Sequence, residues 1–583
     1  MATERDRQLQ PKGKLVLQGA ALLGGAALLS KLIGTLQKIP LQNFAGDEVF
    51  GLYSAVYALA IMWMTLAAAG VPTAVSVLVA EREAEGDKTG ARRIVRWSLG
   101  LLCASGLASF GIMQACAPLF ASWIGAPDAA TAIRASSIAL LFAPAAAVLR
   151  GYRQGQLRMA RPAVSQVVEQ TARVTFMLIM LYVAIRAGWQ ASSTTAALHG
   201  GLAAGAAAGL AAMLWPKRSR EVWVRATGAK KRYAPGAGDT GPLSSRKVIL
   251  PEPGKLLMRR IVGVALPVAA ASIVVPLFGL IDAFSIPRLL QREGMDAASA
   301  IAQFGVYNRG VALLQLVLMA ASGVAAALVP AMTAARKRET DAADESSSRA
   351  VLALRLAWWF GGAAAIGLAL LAAPIDIALF ADREGSRAIM LMAPAAVFGA
   401  LQAVSSGLLQ GRGDLRGPAV NLAAAAIFKL ALNVLLVPGG GAGHGIGGAA
   451  IAMTAAYGAA ALLNALSLRQ RLAVPPVRLA AAWRPAASLA AMAAAVALAA
   501  LALGTLAQGL PARAGALLVA LPGTAVGGLT LAAALIAAGA IGPQQWRELP
   551  GCAPGSRLDA WLLRLHAVTA GRRASAPQAP REG

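Results

Sequence analysis

Lys31 and Lys38 stand seven residues apart in a long apolar run, 14–40. That spacing is two helical turns, so both side chains leave one face of a helix. Arg309 lies in Tyr307-Asn308-Arg309-Gly310, inside a second apolar run, 300–332. A charge at the centre of a membrane-spanning helix costs about 2.5–3.5 kcal/mol, so such residues face a cavity, a partner or the interface. Lys38, close to the end of its run, can also snorkel. If Lys31, Lys38 and Arg309 face one space, that space is cationic and suits an anionic headgroup. A diphosphate fits best, because a guanidinium takes phosphate oxygens two at a time. Asp282 lies late in the run 258–286, and Glu169 and Arg173 are four apart in 161–185. These are candidates for holding an ion or for neutralising a neighbouring charge. Lys429 and Asn433, also four apart, share a face of the run 417–437 and join the same group.

Other chemistry is excluded by what the chain lacks. It has no Walker motif, zinc-ligand cluster or nucleophile elbow, and Cys103, Cys116 and Cys552 form no metal or redox spacing. The glycine-rich stretch 439–448 has no Gly-Lys-Ser/Thr after it, so a loop with tight helix packing explains it better than a phosphate loop. No catalytic residue, metal ligand or cofactor is expected, and the chain does not read as an enzyme.

The elements that must position these residues are membrane helices. Of 583 residues 57% are hydrophobic and 14% charged, with a mean hydropathy of +0.61; soluble domains average about 25% charged. Apolar runs long enough to cross a bilayer recur throughout. The fold class is an all-α integral membrane protein of about fourteen transmembrane helices: 14–40, 49–80, 93–118, 131–150, 161–185, 195–215, 258–286, 300–332, 350–374, 386–410, 417–437, 445–468, 482–507 and 513–541. Most Lys and Arg fall in the loops after the even-numbered helices, which places both termini in the cytoplasm. The net charge of +27 therefore points to anionic membrane lipids, not to nucleic acid.

The chain also repeats itself. Gly151-Tyr-Arg-Gln154-Gly155, followed by Pro162-Ala163-Val164, returns as Gly407-Leu-Leu-Gln410-Gly411, followed by Pro418-Ala419-Val420. Ala68-Ala69-Gly70-Val71 returns as Ala321-Ser322-Gly323-Val324. Equivalent punctuation in two apolar halves marks an internal duplication. Both copies of the first motif fall on cytoplasmic turns, so the repeats are parallel. The expected organisation is a leader (1–13), a first six-helix lobe (14–215), a basic linker (216–257), a second lobe (258–468), two extra helices (482–541) and a cytoplasmic tail (542–583). The tail ends in a surface helix at 557–569 and a polar disordered stretch at 571–583.

Leu36-Gln-Lys-Ile-Pro-Leu-Gln-Asn-Phe-Ala-Gly-Asp-Glu-Val-Phe-Gly-Leu-Tyr53, Arg150-Gly-Tyr-Arg-Gln-Gly155, Ser165-Gln-Val-Val-Glu-Gln170, Leu280-Ile-Asp-Ala-Phe-Ser-Ile-Pro-Arg288 and Val306-Tyr-Asn-Arg-Gly310 together resemble one group. It is the family of stage V sporulation protein B and the MurJ-type lipid II flippases, in the multidrug/oligosaccharidyl-lipid/polysaccharide exporter superfamily. The resemblance implies two six-helix lobes in a V about a pseudo-twofold axis, with two added helices. It implies alternating access that carries a polyprenyl-diphosphate-linked sugar across the cell membrane, with envelope-synthesis proteins as neighbours. By resemblance Lys31, in Ser30-Lys31-Leu-Ile-Gly34, stands where the family has an arginine. Lys38 lies one residue out of register with a second helix-one cation, and Arg309 matches the helix-eight arginine. Asp282 resembles the acidic residue with which some members bind sodium, so Na+ or H+ coupling is what the resemblance allows; the helix-eleven acidic partner is replaced by Ala425. A drug/cation antiporter of the same superfamily is the nearest rival, but it calls for acidic residues where these membrane charges are mostly basic. A membrane-embedded glycan transferase or ligase would need a large external loop, and the outer loops here are short. A non-transporting scaffold is the third.

Overall fold

The computed structural model describes residues 4–215 except 69, 253–336, 342–439 except 415, 444–472, 479–540 and a few between 555 and 564. Most of the linker (216–252), nearly all of 557–569 and the stretch 571–583 lie outside the described residues. Every regular element among those described is helical. The first half holds α1 (Glu4–Leu36), α2 (Lys38–Ala68), α3 (Val71–Ala84), α4 (Lys88–Ala115), α5 (Ala117–Ile124), α6 (Ala129–Ser137), α7 (Ala143–Gly155), α8 (Ala160–Ala187) and α9 (Ala191–Leu214). The second holds α10 (Gly254–Arg292), α11 (Ala297–Arg336), α12 (Ala342–Leu370), α13 (Ala372–Phe380), α14 (Ser386–Met392), α15 (Ala395–Gly411), α16 (Arg416–Leu436) and α17 (Ile446–Leu472). Two further helices, α18 (Leu479–Leu506) and α19 (Ala512–Ala537), follow.

Twelve helical stretches among the described residues are long and apolar enough to cross a membrane, or thirteen if α14 and α15, bent by 44°, count as one span. The chain is a multi-pass membrane protein. The difference from fourteen lies at the start, where 64 residues, Ala21–Ala84, run on as one helical stretch. One crossing needs only about 20. The connection expected at 41–48 is helical as well. Its break is a single residue, Gly46, at φ 79°, a conformation glycine reaches without a Cβ clash. Gly70, at φ 68°, makes the second break and hands over to Pro72 in the first turn of α3. α10 carries Pro267, Pro276 and Pro287 within 39 residues; in a bundle, neighbouring helices and local adjustments meet the freed backbone groups.

The repeated Gly-x-x-x-Gly motif has a packing reason. A Cβ on Gly151 would stand 2.3 Å from the Pro72 carbonyl oxygen, and one on Gly155 2.7 Å from that of Ser76. Small residues at this spacing let the α7 backbone lie directly on α3. The second copy ends α15, which packs on α11. α7 thus meets α3 as α15 meets α11, and each copy precedes the next long helix, α8 or α16.

The halves join unevenly. One large apolar core runs through both, with Leu52, Val56 and Ile133 from the first half and Phe278, Ile301, Phe304 and Ala426 from the second. There α2 and α11 touch backbone to backbone, since a Cβ on Gly51 would meet the Ile301 oxygen at 2.0 Å. A separate cluster around Ala321, Ala353, Val404 and Leu468 belongs to the second half alone. α18 and α19 seat on the second half through Leu371, Leu489, Val496 and Val519.

Candidate functional site

At the joined end, Arg309 on α11 is fully buried and meets three carboxylates. Asp47, just past the Gly46 break, takes Nε at 3.0 Å and a second hydrogen bond from Nη2. Asp382, in the turn after α13, takes the guanidinium in bidentate form at 2.6 and 2.9 Å. Asp376 on α13 accepts at 3.3 Å and is held in turn by the Ser386 hydroxyl at 3.0 Å. The Phe380 ring lies 5.4 Å from the guanidinium carbon. Partial burial disfavours the charged form of Asp382, but the Arg309 hydrogen bonds, the Glu384 N–H and the guanidinium charge outweigh it and hold the carboxyl below its usual range. Asp47 comes from the first half and the rest from the second, so the cluster clamps one half to the other. Asn43 adds a bond across the same junction, donating to the Leu379 carbonyl at 2.7 Å. From α19, Arg513 donates to the Ala378 carbonyl at 3.0 Å.

Arg309 and the two lysines do not share one open space. Lys38 is buried and donates to Gln315 Oε1 at 3.2 Å, six residues, about 9 Å, along α11 from Arg309. Lys31, on α1, lies two turns back along the same helical stretch, yet it is exposed and its ammonium has no hydrogen-bond or ion-pair partner among the described residues. Along the α1–α2 stretch, the contact with α11 is a charge clamp at Arg309 and a hydrogen bond at Lys38, while Lys31 is exposed.

Asp282, Lys429 and Asn433 come together inside the second half, all buried. Asp282 forms an ion pair with Lys429 and accepts from Asn433 at 3.1 Å and from the Tyr307 hydroxyl at 3.0 Å. Lys429 also donates to the Phe278 carbonyl at 3.3 Å, and Asn433 to the Ser285 hydroxyl at 2.9 Å. A carboxylate, a main-chain carbonyl and hydroxyls are chemically the donors of a hard cation. Here the Lys429 ammonium already occupies that position, so these residues as they stand do not fit a sodium ion.

Glu169 and Arg173 meet in the first half, but not as an isolated pair: Glu169 also binds Arg150, which donates to Ser165 at 2.9 Å. Gly205 and Gly209 make room for this, since a Cβ on either would approach Glu169 or Arg150 within 2.7 Å. Two arginines share one carboxylate, so this network keeps one excess positive charge.

Asp47, Asp376, Asp382, Tyr307 and Gln315 were not among the residues singled out from sequence. Asp376 carried the signal that marks Lys31, a lone charge in the apolar run Pro374-Ile-Asp-Ile-Ala-Leu-Phe380. Asp47 and Asp382 sit in turns, where an aspartate is unremarked until its partner is placed.

A family model described as polysaccharide biosynthesis protein matches residues 16–336. The uncharacterized membrane protein YabM of Bacillus subtilis (strain 168) is 27% identical over 96% of this chain and 99% of its own length. Lipid II flippase MurJ and stage V sporulation protein B of the same organism are each 25% identical over 54% of this chain, and the matched stretch spans only 58% of either relative. Among solved structures, lipid II flippase MurJ in an inward closed conformation superposes with a TM-score of 0.58 at 12% identity, covering 88% of this chain and 98% of that one; this likeness is one of fold. By its sequence the chain belongs to the polysaccharide biosynthesis protein family.

Proposed function

We propose that the chain is a flippase that moves a polyprenyl-diphosphate-linked sugar, lipid II or a related envelope precursor, across the cell membrane by alternating access. The observation that carries this reading is the gradation along the α1–α11 junction. An unpaired, exposed lysine stands at one end, Lys38 bridges the halves in the middle, and a charge clamp closes the other end. Lys31 and Lys38, 7 residues apart on one face, offer two ammonium groups about 10 Å apart, which suits a diphosphate with its first sugar. The prenyl tail stays in lipid beside the exposed Leu28, Leu29 and Leu32. The membership of a polysaccharide biosynthesis family and the flippase named among the relatives support the substrate class.

In this reading both termini are cytoplasmic, Lys31 stands on the cytoplasmic side of Lys38 and the clamp closes the outer side. Arg309 then works as a gate. Its three carboxylates neutralise it while the outer side is shut, and opening requires Asp47 to leave while Asp376 and Asp382 keep the guanidinium compensated. A ligand drives that change only through different affinities for the two states. The ammonium of Lys429 fills the Asp282 site, so transport runs without sodium. Complementation of flippase-depleted cells tests the assignment. Wild type restores growth, and Lys31→Ala at normal expression lowers it sharply. Growth restored equally by Lys31→Ala, Lys38→Ala and the double variant would sink the lysine site.

A further inference from the structure

Away from the α1–α11 junction, the start of α4, with Met258 of α10, lines a half-open cavity of about 900 Å³. Arg92, Arg93 and Arg96 line it on one side, with Trp97, Leu101 and Met258 beside them. None of the three arginines has an ion-pair or hydrogen-bond partner among the described residues. Among the described residues the nearby carboxylates are engaged elsewhere: Arg82 holds Glu85 and Asp87, and Arg260 holds Glu81. Three guanidinium groups within two turns, with no counter-charge for them among the described residues, leave a cavity that calls for an anion.

The rest of the cavity says which kind. Trp97 is 41% exposed, and its ring is wedged against Gly254, where a Cβ would stand 2.5 Å from the ring. A tryptophan at such a place marks the level of the headgroups. Beyond the arginines the surface turns apolar, with Leu107 on α4 and Val262 and Leu266 on α10 all exposed. Charge at one end and exposed hydrocarbon along the continuation match a phosphate carried on acyl chains. A free phosphate would use only the arginines.

We infer that the α4–α10 cavity is a binding site for an anionic phospholipid, its phosphate on Arg92, Arg93 and Arg96 and its chains along α4 and α10. Basic pockets between membrane helices bind such headgroups. Because α4 belongs to the first half and α10 to the second, a lipid seated there touches both. The inference does not rest on the flippase reading.

The full chain, purified in a neutral detergent, tests it by native mass spectrometry and by the thermal unfolding midpoint, with added phosphatidylglycerol, phosphatidylcholine or inorganic pyrophosphate. Phosphatidylglycerol is retained and raises the midpoint, while phosphatidylcholine and pyrophosphate do neither. The variant Arg92→Gln/Arg93→Gln/Arg96→Gln binds phosphatidylglycerol about a hundredfold more weakly. Should that variant not fold, Arg96→Gln alone weakens binding about fivefold. Equal retention of the two lipids, unchanged phosphatidylglycerol binding in a folded variant, or pyrophosphate matching the lipid would each overturn the site.

Discussion

Lys429 holds its charge inside the second half only because Asp282 answers it, and the dependence is mutual. Removing one partner of a buried pair leaves the other uncompensated, at about 3–5 kcal/mol. Lys429→Met should lower the thermal unfolding midpoint strongly, and Asp282→Asn added to it should recover much of the loss. A double variant as unstable as the sum of the singles would mean the pair does not interact. Lys429→Gln also vacates a cage of oxygen donors, so sodium should stabilise that variant while leaving the wild type unaffected. At the clamp, Arg309→Lys keeps the charge and loses the bidentate bonds, so it should cost both stability and transport. The pH dependence has a definite sign. A carboxyl held below its ordinary value adds stability above that value and loses it as pH falls through the lowered one. The Asp382 contribution is therefore complete at neutral pH and fades below about pH 4, and Asp382→Asn should flatten that part of the midpoint-against-pH curve. The i, i+4 spacing of Lys429 and Asn433 was readable as a shared face. Their partner lies 147 residues away from Lys429, a distance no local spacing reveals. For the same reason Arg309 read as an unpaired cation: its three carboxylates come from α2, α13 and the turn that follows it.

At the level of elements, glycine decides how closely helices approach. Gly151 and Gly155 bring α7 onto α3, and Gly51 and Gly305 bring α2 onto α11. Overfilling such contacts costs about 1–3 kcal/mol. Gly151→Leu should therefore lower the unfolding midpoint, whereas the same change at Gly111, where a Cβ meets nothing within 4 Å, should leave it nearly unchanged. Equal losses at both positions would remove the packing explanation. The repeated motif was visible in the sequence because it punctuates two helix ends, and its glycines and Pro162 and Pro418 recur at matching places. The break at Gly70 was harder to read, whereas Gly46 falls within the connection expected at 41–48. Gly70 is one residue at positive φ inside an apolar stretch, with Ala67 and Ala68 before it and Val71 after it, so hydropathy alone runs across it. The bend between α14 and α15 was likewise hidden inside one apolar run, at Ala393-Pro394.

Taken whole, the molecule is two helical halves joined by a continuous apolar core and by a second apolar cluster where α3 and α4 meet the start of α10. The clamp at Asp47, Arg309 and Asp382 ties the two halves together, and Lys31 stands exposed about 10 Å along the helix from Lys38. Alternating access would reverse this arrangement, and a headgroup held by Lys31 and Lys38 is the ligand whose binding would bias it. The direct measurement is leaflet-to-leaflet movement of a defined polyprenyl-diphosphate sugar in proteoliposomes holding only this chain. Wild type should translocate it without added sodium, and Lys31→Ala/Lys38→Ala should do so at least about tenfold more slowly, the loss of about 1.4 kcal/mol of headgroup binding. No translocation by the wild type above protein-free vesicles, or equal rates in both proteins, would contradict the account.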